Sequence, residues 1–295
     1  LNGLESAVFA EGEYKIAGKI SLRGGLRSEF TGSNKEYNLS PRIAVAFRIS
    51  DFSQISGAWG YYNQLPETKY LMINHELKNQ QAIHYIFNYQ LIKQNQTFRA
   101  EIYYKNYQYL LRYDSLYAPY KYQYNSGGYG YARGIDLFWR DKRTIKNLDY
   151  WLSYSYIDTK RLFHDYPIAV RPPWFPAHTF SAVYKQFLSK INIQLLSSFT
   201  MMSGRFYEDP NKEGFMNNKT PVFTDLSIGC SYVRIRKANL YVFHAQITNV
   251  LGSEQIYGYR FAKDPGMDGF YAYKPLKPPV KRMFVIGIFL FFNYF

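Results

Sequence analysis

The stretch Asn147-Leu148-Asp149-Tyr150-Trp151-Leu152-Ser153-Tyr154-Ser155-Tyr156 alternates between apolar and polar residues. Leu148, Tyr150, Leu152, Tyr154 and Tyr156 fall on one side; Asn147, Asp149, Trp151, Ser153 and Ser155 fall on the other. Successive side chains of a strand point to opposite faces, so this stretch reads as a strand with one apolar and one largely polar face. The pattern recurs along the chain. Phe98, Ala100, Ile102 and Tyr104 oppose Arg99, Glu101, Tyr103 and Lys105. Leu226, Ile228, Cys230 and Tyr232 oppose Asp225, Ser227, Gly229 and Ser231, and Tyr241, Phe243, Ala245 and Ile247 oppose Val242, His244, Gln246 and Thr248.

About thirteen such segments are present, at 5–16, 19–30, 39–49, 53–64, 81–92, 97–112, 131–141, 147–162, 178–187, 191–204, 221–235, 239–251 and 283–295. Most far exceed the roughly 5–6 residues usual for strands of soluble sheets. Helical periodicity is nearly absent, which makes the chain all-β. The links alternate in length. Short ones fall at 17–18, 50–52, 93–96, 142–146, 188–190 and 236–238; long ones fall at 31–38, 65–80, 113–130, 163–177, 205–220 and 252–282. Tight turns on one edge and long loops on the other describe an antiparallel up-and-down meander.

Soluble up-and-down barrels have about eight strands and an apolar interior. Long strands with a Ser-, Gln-, Asn- and Arg-bearing face fit the opposite design. Transmembrane barrels are apolar outside and polar inside, with short periplasmic turns and long outer loops. The composition agrees: 31 Tyr, 23 Phe and 4 Trp make one residue in five aromatic, and mean hydropathy is only −0.36. Tyr and Trp place an apolar ring and a polar tip at the membrane boundary, which gives such an excess a physical reason.

Other classes are excluded or weakened by the same residues. The single Cys230 allows neither an internal disulfide nor a cysteine-based metal site. No apolar run reaches the roughly 18 residues of a membrane helix, and the Leu1–Ser6 opening does not read as a signal peptide. The net charge of +14 comes from scattered basic residues without a recognition-helix pattern, so nucleic acid is not an expected partner.

Several passages resemble the C-terminal barrel of TonB-dependent outer-membrane receptors, a family abundant in Bacteroidota. They are Leu39-Ser40-Pro41-Arg42-Ile43-Ala44 with the turn Ser50-Asp51-Phe52-Ser53, Gly60-Tyr61-Tyr62-Asn63-Gln64-Leu65-Pro66, and Trp174-Phe175-Pro176-Ala177-His178. The most specific are Asp225-Leu226-Ser227, Gln246-Ile247-Thr248-Asn249-Val250-Leu251-Gly252 and Tyr257-Gly258-Tyr259-Arg260. The resemblance implies a barrel of about 22 strands closed by an N-terminal plug. It further implies import of a scarce nutrient (siderophore, cobalamin, glycan or peptide), energised through the TonB complex. The location implied is the outer membrane of a Gram-negative bacterium, among lipid and lipopolysaccharide, with long loops extracellular and short turns periplasmic. The terminal Asn293-Tyr294-Phe295 is similar to the signal read by the barrel assembly machinery, with Asn293 standing where an aromatic is usual.

Strand parity gives the domain expectation. The last segment follows a long loop and descends, and counting back puts Leu1 outside the cell, whereas both ends of a single-chain bacterial barrel lie inside. Residues 1–295 are therefore expected to be the C-terminal part of the barrel, with the plug and the first strands upstream. The alternative is a self-contained porin-like channel, which holds if the poorly alternating first segment, with Glu11-Gly12-Glu13, is not a strand.

No catalytic, cofactor or metal residue is expected. His75, His84, His164, His178 and His244 are dispersed without a zinc-binding spacing, and His84 and His244 read as residues of the polar face. Ser115, His164 and Asp165 have no spacing that joins them as hydrolase residues, and Gly127-Gly128-Tyr129-Gly130 reads as a flexible loop end rather than a phosphate cradle. Arg140, Lys142, Arg143 and Lys146 gather at a short turn, and Arg260, Lys263, Lys274, Lys277, Lys281 and Arg282 attend the last loop, where lipopolysaccharide phosphates or anionic cargo would meet them. The loop at 252–282 carries six rings and four prolines and is expected to be ordered, roofing the interior or touching cargo.

Overall fold

The computed structural model describes residues 3–113 and 123–292. Its strands are β1 (Glu5–Ile16), β2 (Ile20–Thr31), β3 (Glu36–Ser50), β4 (Ser53–Gln64), β5 (Gln80–Lys93), β6 (Gln96–Arg112), β7 (Asn125–Asp141), β8 (Leu148–Leu162), β9 (His178–Leu188) and β10 (Ile193–Met202). There follow β11 (Phe206–Tyr207), β12 (Asn218–Lys219), β13 (Phe223–Arg236), β14 (Asn239–Ile247), β15 (Gly258–Phe261), β16 (Tyr273–Leu276) and β17 (Phe284–Phe291); one helical turn, α1, spans Thr68–Leu71. Thirteen strands form one sheet in the order β1 to β10, then β13, β14 and β17. β11–β12 and β15–β16 are separate hairpins inside long loops. The all-β meander and its thirteen long strands thus stand as the sequence predicts, the first segment included.

The short turns are local chemistry. Ala17 and Gly18 both take positive φ between β1 and β2, as do Gln94 and Asn95 between β5 and β6. Two consecutive left-handed residues match the twist of a tight hairpin.

The register shows which side chains share a face. Leu195, Cys230, Ala245 and Ile286 lie in one cross-strand row; Gln194, Ser231, His244 and Gly287 lie in the next, on the opposite face. Burial then runs opposite to that of a water-soluble sheet. Ile102 is 55% exposed and Ile228 45%, while Ser40 is 1% exposed and Ser231 6%. Apolar side chains thus line the outward face, with small polar ones on the enclosed face.

Contacts divide the chain into two units: Leu1–Leu91 with Ala100–Ile135 and Ile157–Phe175, and Ile92–Arg99 with Asp136–Tyr156 and Pro176–Phe295. The first holds a small conventional core within its long loops, where Leu71, Leu77, Leu111 and Tyr124 are buried against Leu65, Tyr70, Ile73 and Tyr113. Asn34 ties the edge of this core by donating from Nδ2 to the Leu77 carbonyl at 2.9 Å and to Asn79 Oδ1 at 2.7 Å. The second unit holds both loop hairpins.

Three sequence expectations are revised. β3 begins at Glu36 rather than at 39 and β7 at Asn125 rather than at 131, so two of the long connections are shorter than read. Gly127-Gly128-Tyr129-Gly130 lies inside β7 and is not a flexible loop end. A Cβ on Gly128 would sit 2.5 Å from the Leu110 carbonyl oxygen and 2.6 Å from that of Leu162, so close approach of neighbouring backbones is what requires glycine there. In β17, whose two faces are both apolar, pairing with β14 puts Val285, Gly287 and Phe289 on the face of His244 and Gln246.

Candidate functional site

The enclosed polar face is the first surface able to meet a solute. In the first unit Arg23 pairs with Glu11, and Arg27 with Glu29 at 2.5 Å. Arg42 lies over the Tyr62 ring at 4.5 Å, and Tyr62 in turn lies 4.4 Å from His84. In the second unit Arg140 makes a two-pronged contact with Asp149 at 2.9 and 2.7 Å, and His244 bridges Ser231 at 2.9 Å and Gln246 at 3.3 Å. On this face Arg23, Arg27 and Arg140 are thus each held in an ion pair, and Arg42 against a ring.

The second surface is a pocket in the long loops of the second unit, about 430 Å³ in volume. The β11–β12 hairpin supplies Tyr207, Asp209 and Lys212 to it, and the β15–β16 region supplies Tyr259, Phe261 and Tyr273. The rings hold one another: Tyr207 to Tyr259 is 4.8 Å between centroids, and Tyr273 stands 5.7 Å from both Tyr259 and Phe261. Asn211 staples the two loops, donating to the Tyr271 carbonyl at 3.0 Å and accepting from the Tyr271 N–H at 2.7 Å. Asp209 is consumed structurally, accepting from the Asn211 N–H at 3.1 Å and from Asn218 Nδ2 at 2.9 Å. Burial, with Tyr259 and Asp209 nearby, raises the Tyr207 pKa above the usual phenol range, so the group stays a neutral hydrogen-bonding hydroxyl. What remains for a ligand is a ring platform with the Lys212 and Lys219 side chains at its rim.

The loop at 252–282 is therefore structured, as its rings and prolines predict, and its base is locked. Asn249 is 2% exposed, has positive φ, and donates from Nδ2 to the carbonyls of Ser253 and Lys281, each at 2.9 Å. Ser253 Oγ donates to the Thr224 carbonyl at 2.7 Å, and Gln255 donates to Asp225 at 2.9 Å. Arg282 closes the far side on the Val250 carbonyl at 3.0 Å. The Asp225-Leu226-Ser227 and Gln246–Gly252 motifs are thus a fastening of the last loop to β13, which gives these sequence signals a structural role.

The histidines do not converge. His84 and His244 lie on the polar face, His178 begins β9 within 2.8 Å of the Tyr154 hydroxyl, and His164 is packed in a loop 5.3 Å from the Tyr113 ring. Among the described residues no group of three or more His, Cys, Asp or Glu is arranged to hold a metal. Ser115 and Asn293-Tyr294-Phe295 lie outside the described residues. The basic turn is neutralised in part, with Lys142 3.6 Å from Asp149 as well as Arg140; in the last loop Lys277 pairs with Glu254 at 2.8 Å. Sequence reading found the rings of residues 252–282 but missed their partners at 206–219. Tyr207 and Lys219 beside a long link were the only local signal.

The sheet, its inverted faces and its looped edge define a transmembrane barrel wall. A family described as TonB-dependent receptor-like β-barrel matches residues 3–250, and the chain belongs to that family. Its members are outer-membrane receptors and transporters of Gram-negative bacteria rather than enzymes, which puts this chain in the outer membrane. No curated protein matches the sequence closely enough to count as a relative. Among solved structures, the chain is similar to the FrpB iron transporter of Neisseria meningitidis, at 15% identity and a TM-score of 0.72, over 97% of this chain and 44% of that one. It is also similar to the ferric-catecholate import receptor Fiu of E. coli K12, at 11% identity and 0.71, over 96% and 44%. A third is a mutant of the ferric enterobactin receptor of Pseudomonas aeruginosa, at 11% and 0.70, over 97% and 45%. The chain spans less than half the length of each.

Proposed function

We propose that this chain supplies the C-terminal part of the barrel of a TonB-dependent importer, with the plug and first strands contributed from outside residues 1–295. The cargo is a scarce nutrient of the siderophore, cobalamin, glycan or peptide class, taken up with energy from the inner membrane. The observation that carries the reading is membership of the receptor family in a sheet whose apolar residues face outward and whose polar residues are enclosed. The long loops then face the medium and the short turns the periplasm, and the ring pocket at Tyr207, Tyr259 and Tyr273 becomes a first contact for cargo. Partners follow from the same reading: TonB through the plug, lipopolysaccharide around the wall, and the barrel assembly machinery through the strand ending at Phe295. The Bacteroidota-type motifs fit a receptor of that phylum.

The test is uptake by cells carrying the intact receptor as their only route for each cargo class, with and without TonB. Accumulation lost in both the receptor deletion and the TonB deletion supports the proposal. Receptor-dependent accumulation that persists undiminished without TonB defeats it in favour of a passive channel.

A further inference from the structure

The pocket lined by the β11–β12 and β15–β16 hairpins has a chemistry narrower than a general contact for cargo requires. Its volume of about 430 Å³ lies in the range of small-ligand sites. An apolar cavity of about 150 Å³ takes benzene, so this pocket has room for a pair of substituted rings. The walls are rings set at angles. Tyr259 and Tyr273 cross at 81°, and Phe261 and Phe270 meet Tyr273 at 46° and 53°. Rings so inclined leave part of their faces uncovered, and Tyr273 is 55% exposed. A right-angled pair offers an aromatic guest a face to lie on and an edge to meet, the two arrangements that rings prefer.

The polar groups decide what the guest must carry. Asp209, Asn211 and Asn218 line the pocket, but the loops already use them. Both carboxylate oxygens of Asp209 accept, one from the Asn211 N–H and the other from Asn218 Nδ2. Asn211 is spent on the N–H and carbonyl of Tyr271, and Asn218 Oδ1 accepts from the Lys219 N–H at 3.0 Å. The oxygens that would take protons from a ligand's hydroxyl or amide groups are therefore occupied. Left over are the ammonium groups of Lys212 and Lys219 and the hydroxyls of Tyr207, Tyr259 and Tyr273. None of these has a hydrogen-bond or ion-pair partner among the described residues; the Lys219 ammonium rests over the Phe206 ring at 4.4 Å. An ammonium has three donors and no acceptor, so the open groups chiefly donate. With two ammonium groups against one carboxylate, the lining is also net positive.

Angled ring walls, open donors and positive charge are complementary to an aromatic ring that carries acceptor oxygens and negative charge. We propose that the pocket binds an aryl anion of the hydroxybenzoate or catecholate type, its ring against Tyr259 and Tyr273 and its oxygens toward Lys212 and Lys219. A neutral sugar or a peptide, whose hydroxyls or amides need acceptors as well as donors, matches the same wall less well. The inference rests on the importer reading above and deepens it by naming the chemical class of the cargo. The aryl group arrives either as a free aromatic acid or as an arm of an iron chelate.

The intact receptor, purified in detergent, is titrated calorimetrically with 2,3-dihydroxybenzoate, with its ferric complex and with the neutral sugar maltotriose. The wild type is expected to bind at least one aryl probe, with an affinity that falls as salt rises, and not to bind maltotriose. Tighter binding of the ferric complex identifies the chelate as the source; no gain from iron identifies the free acid. The double variant Lys212→Met, Lys219→Met should weaken binding several-fold and flatten its salt dependence. Tyr273→Leu should weaken binding several-fold and leave the salt dependence in place. All three side chains are exposed, and unchanged hydrogen exchange at the Tyr271 N–H, which Asn211 holds, shows that the two loops stay stapled in each variant. Binding of neither aryl probe overturns the proposal, as does equal affinity in the wild type and both variants, or an affinity for maltotriose that matches that for the aryl probes. The importer reading fails separately, through receptor-dependent uptake that is undiminished without TonB while the purified receptor still binds the aryl probe.

Discussion

The strands and the first unit's loop core solve the same problem for different solvents. On the strands the large apolar residues are the exposed ones, Ile102 and Ile228 among them, and the enclosed residues are small and polar. In the loop core, a few residues further along the same chain, Leu71 and Leu77 are 2% and 1% exposed, and the buried polar side chains Asn34 and Asn74 are hydrogen-bonded. Water surrounds the second region and lipid the first, so burial must be read against the solvent that a segment meets rather than against a single rule for the chain. The comparison also says where stability resides. The strands are held by backbone pairing that the membrane enforces, whereas the loops are held by a conventional hydrophobic cluster.

If the two regions are this different, substitutions should separate them. The largest effect is expected at Leu77→Ala, where an almost fully buried side chain leaves a cavity that costs about 2–5 kcal/mol. The loss should fall on the loops alone: limited proteolysis should cut residues 65–79 much faster, while the barrel keeps its unfolding midpoint. A joint fall in both would merge the regions. Next comes the paired test on the strands. Leu152→Arg on the outward face should cost about 2–4 kcal/mol near the middle of the bilayer. Ser153→Arg, one residue on and on the opposite face, should cost little. Equal costs at the two positions would remove the lipid-facing assignment.

Of the fold, what was legible was whatever a period of two can carry. All thirteen sheet strands were readable because one face of each must be apolar, and the tight turns followed as the gaps between them. Ends were harder: β7 extends back to Asn125 through three glycines whose purpose is visible only once the Leu110 and Leu162 carbonyls are seen against Gly128. The faces of β17 needed its partner, since Val285 and Phe289 are as apolar as Ile286 and Ile288 and only pairing with Gln246 and His244 sorts them. The loop core and the pocket were not legible. Leu71, Leu111 and Tyr124 come from separate loops and strand ends with no shared period, and Tyr207 finds Tyr259 across more than fifty residues of chain.

The fastening at Asn249 belongs to neither region and gives a smaller effect. Asn249→Ala removes the donor that holds the Ser253 and Lys281 carbonyls and the acceptor that holds the Ser253 N–H. Buried groups left unpaired cost about 1–3 kcal/mol each at most. Hydrogen exchange at 250–256 and 280–283 should speed up, while exchange within β13 and β14 stays slow. Unchanged exchange at the loop base would show that Arg282 and Gln255 suffice to fasten it.

The smallest effect is a pH response confined to the loops. His164 follows β8 and is packed between Phe163, at 4.4 Å, and Tyr113, at 5.3 Å. Its own N–H donates to the Leu111 carbonyl at 2.6 Å, and its carbonyl accepts from the Tyr113 N–H at 3.0 Å, so the ring sits where two loop segments join. Burial lowers its pKa below the ordinary histidine value; Asp165 and Glu67 oppose that shift, and Lys69 adds to it. A histidine with a folded pKa below its unfolded one binds fewer protons when docked than when released. Docking is then complete above the ordinary pKa of about 6.5 and weakens as pH falls through it. Exchange protection of 163–171 should therefore drop between pH 7.5 and pH 5.5, by a modest amount because the ring is only half buried, while the strands show no change. His164→Phe keeps the ring packing and removes the titration, so protection in that variant should be flat across the same interval. A drop that persists in His164→Phe would assign the response to another group, and a matching drop within β8 would mean that the loops and the strands are not the separate regions they are argued to be.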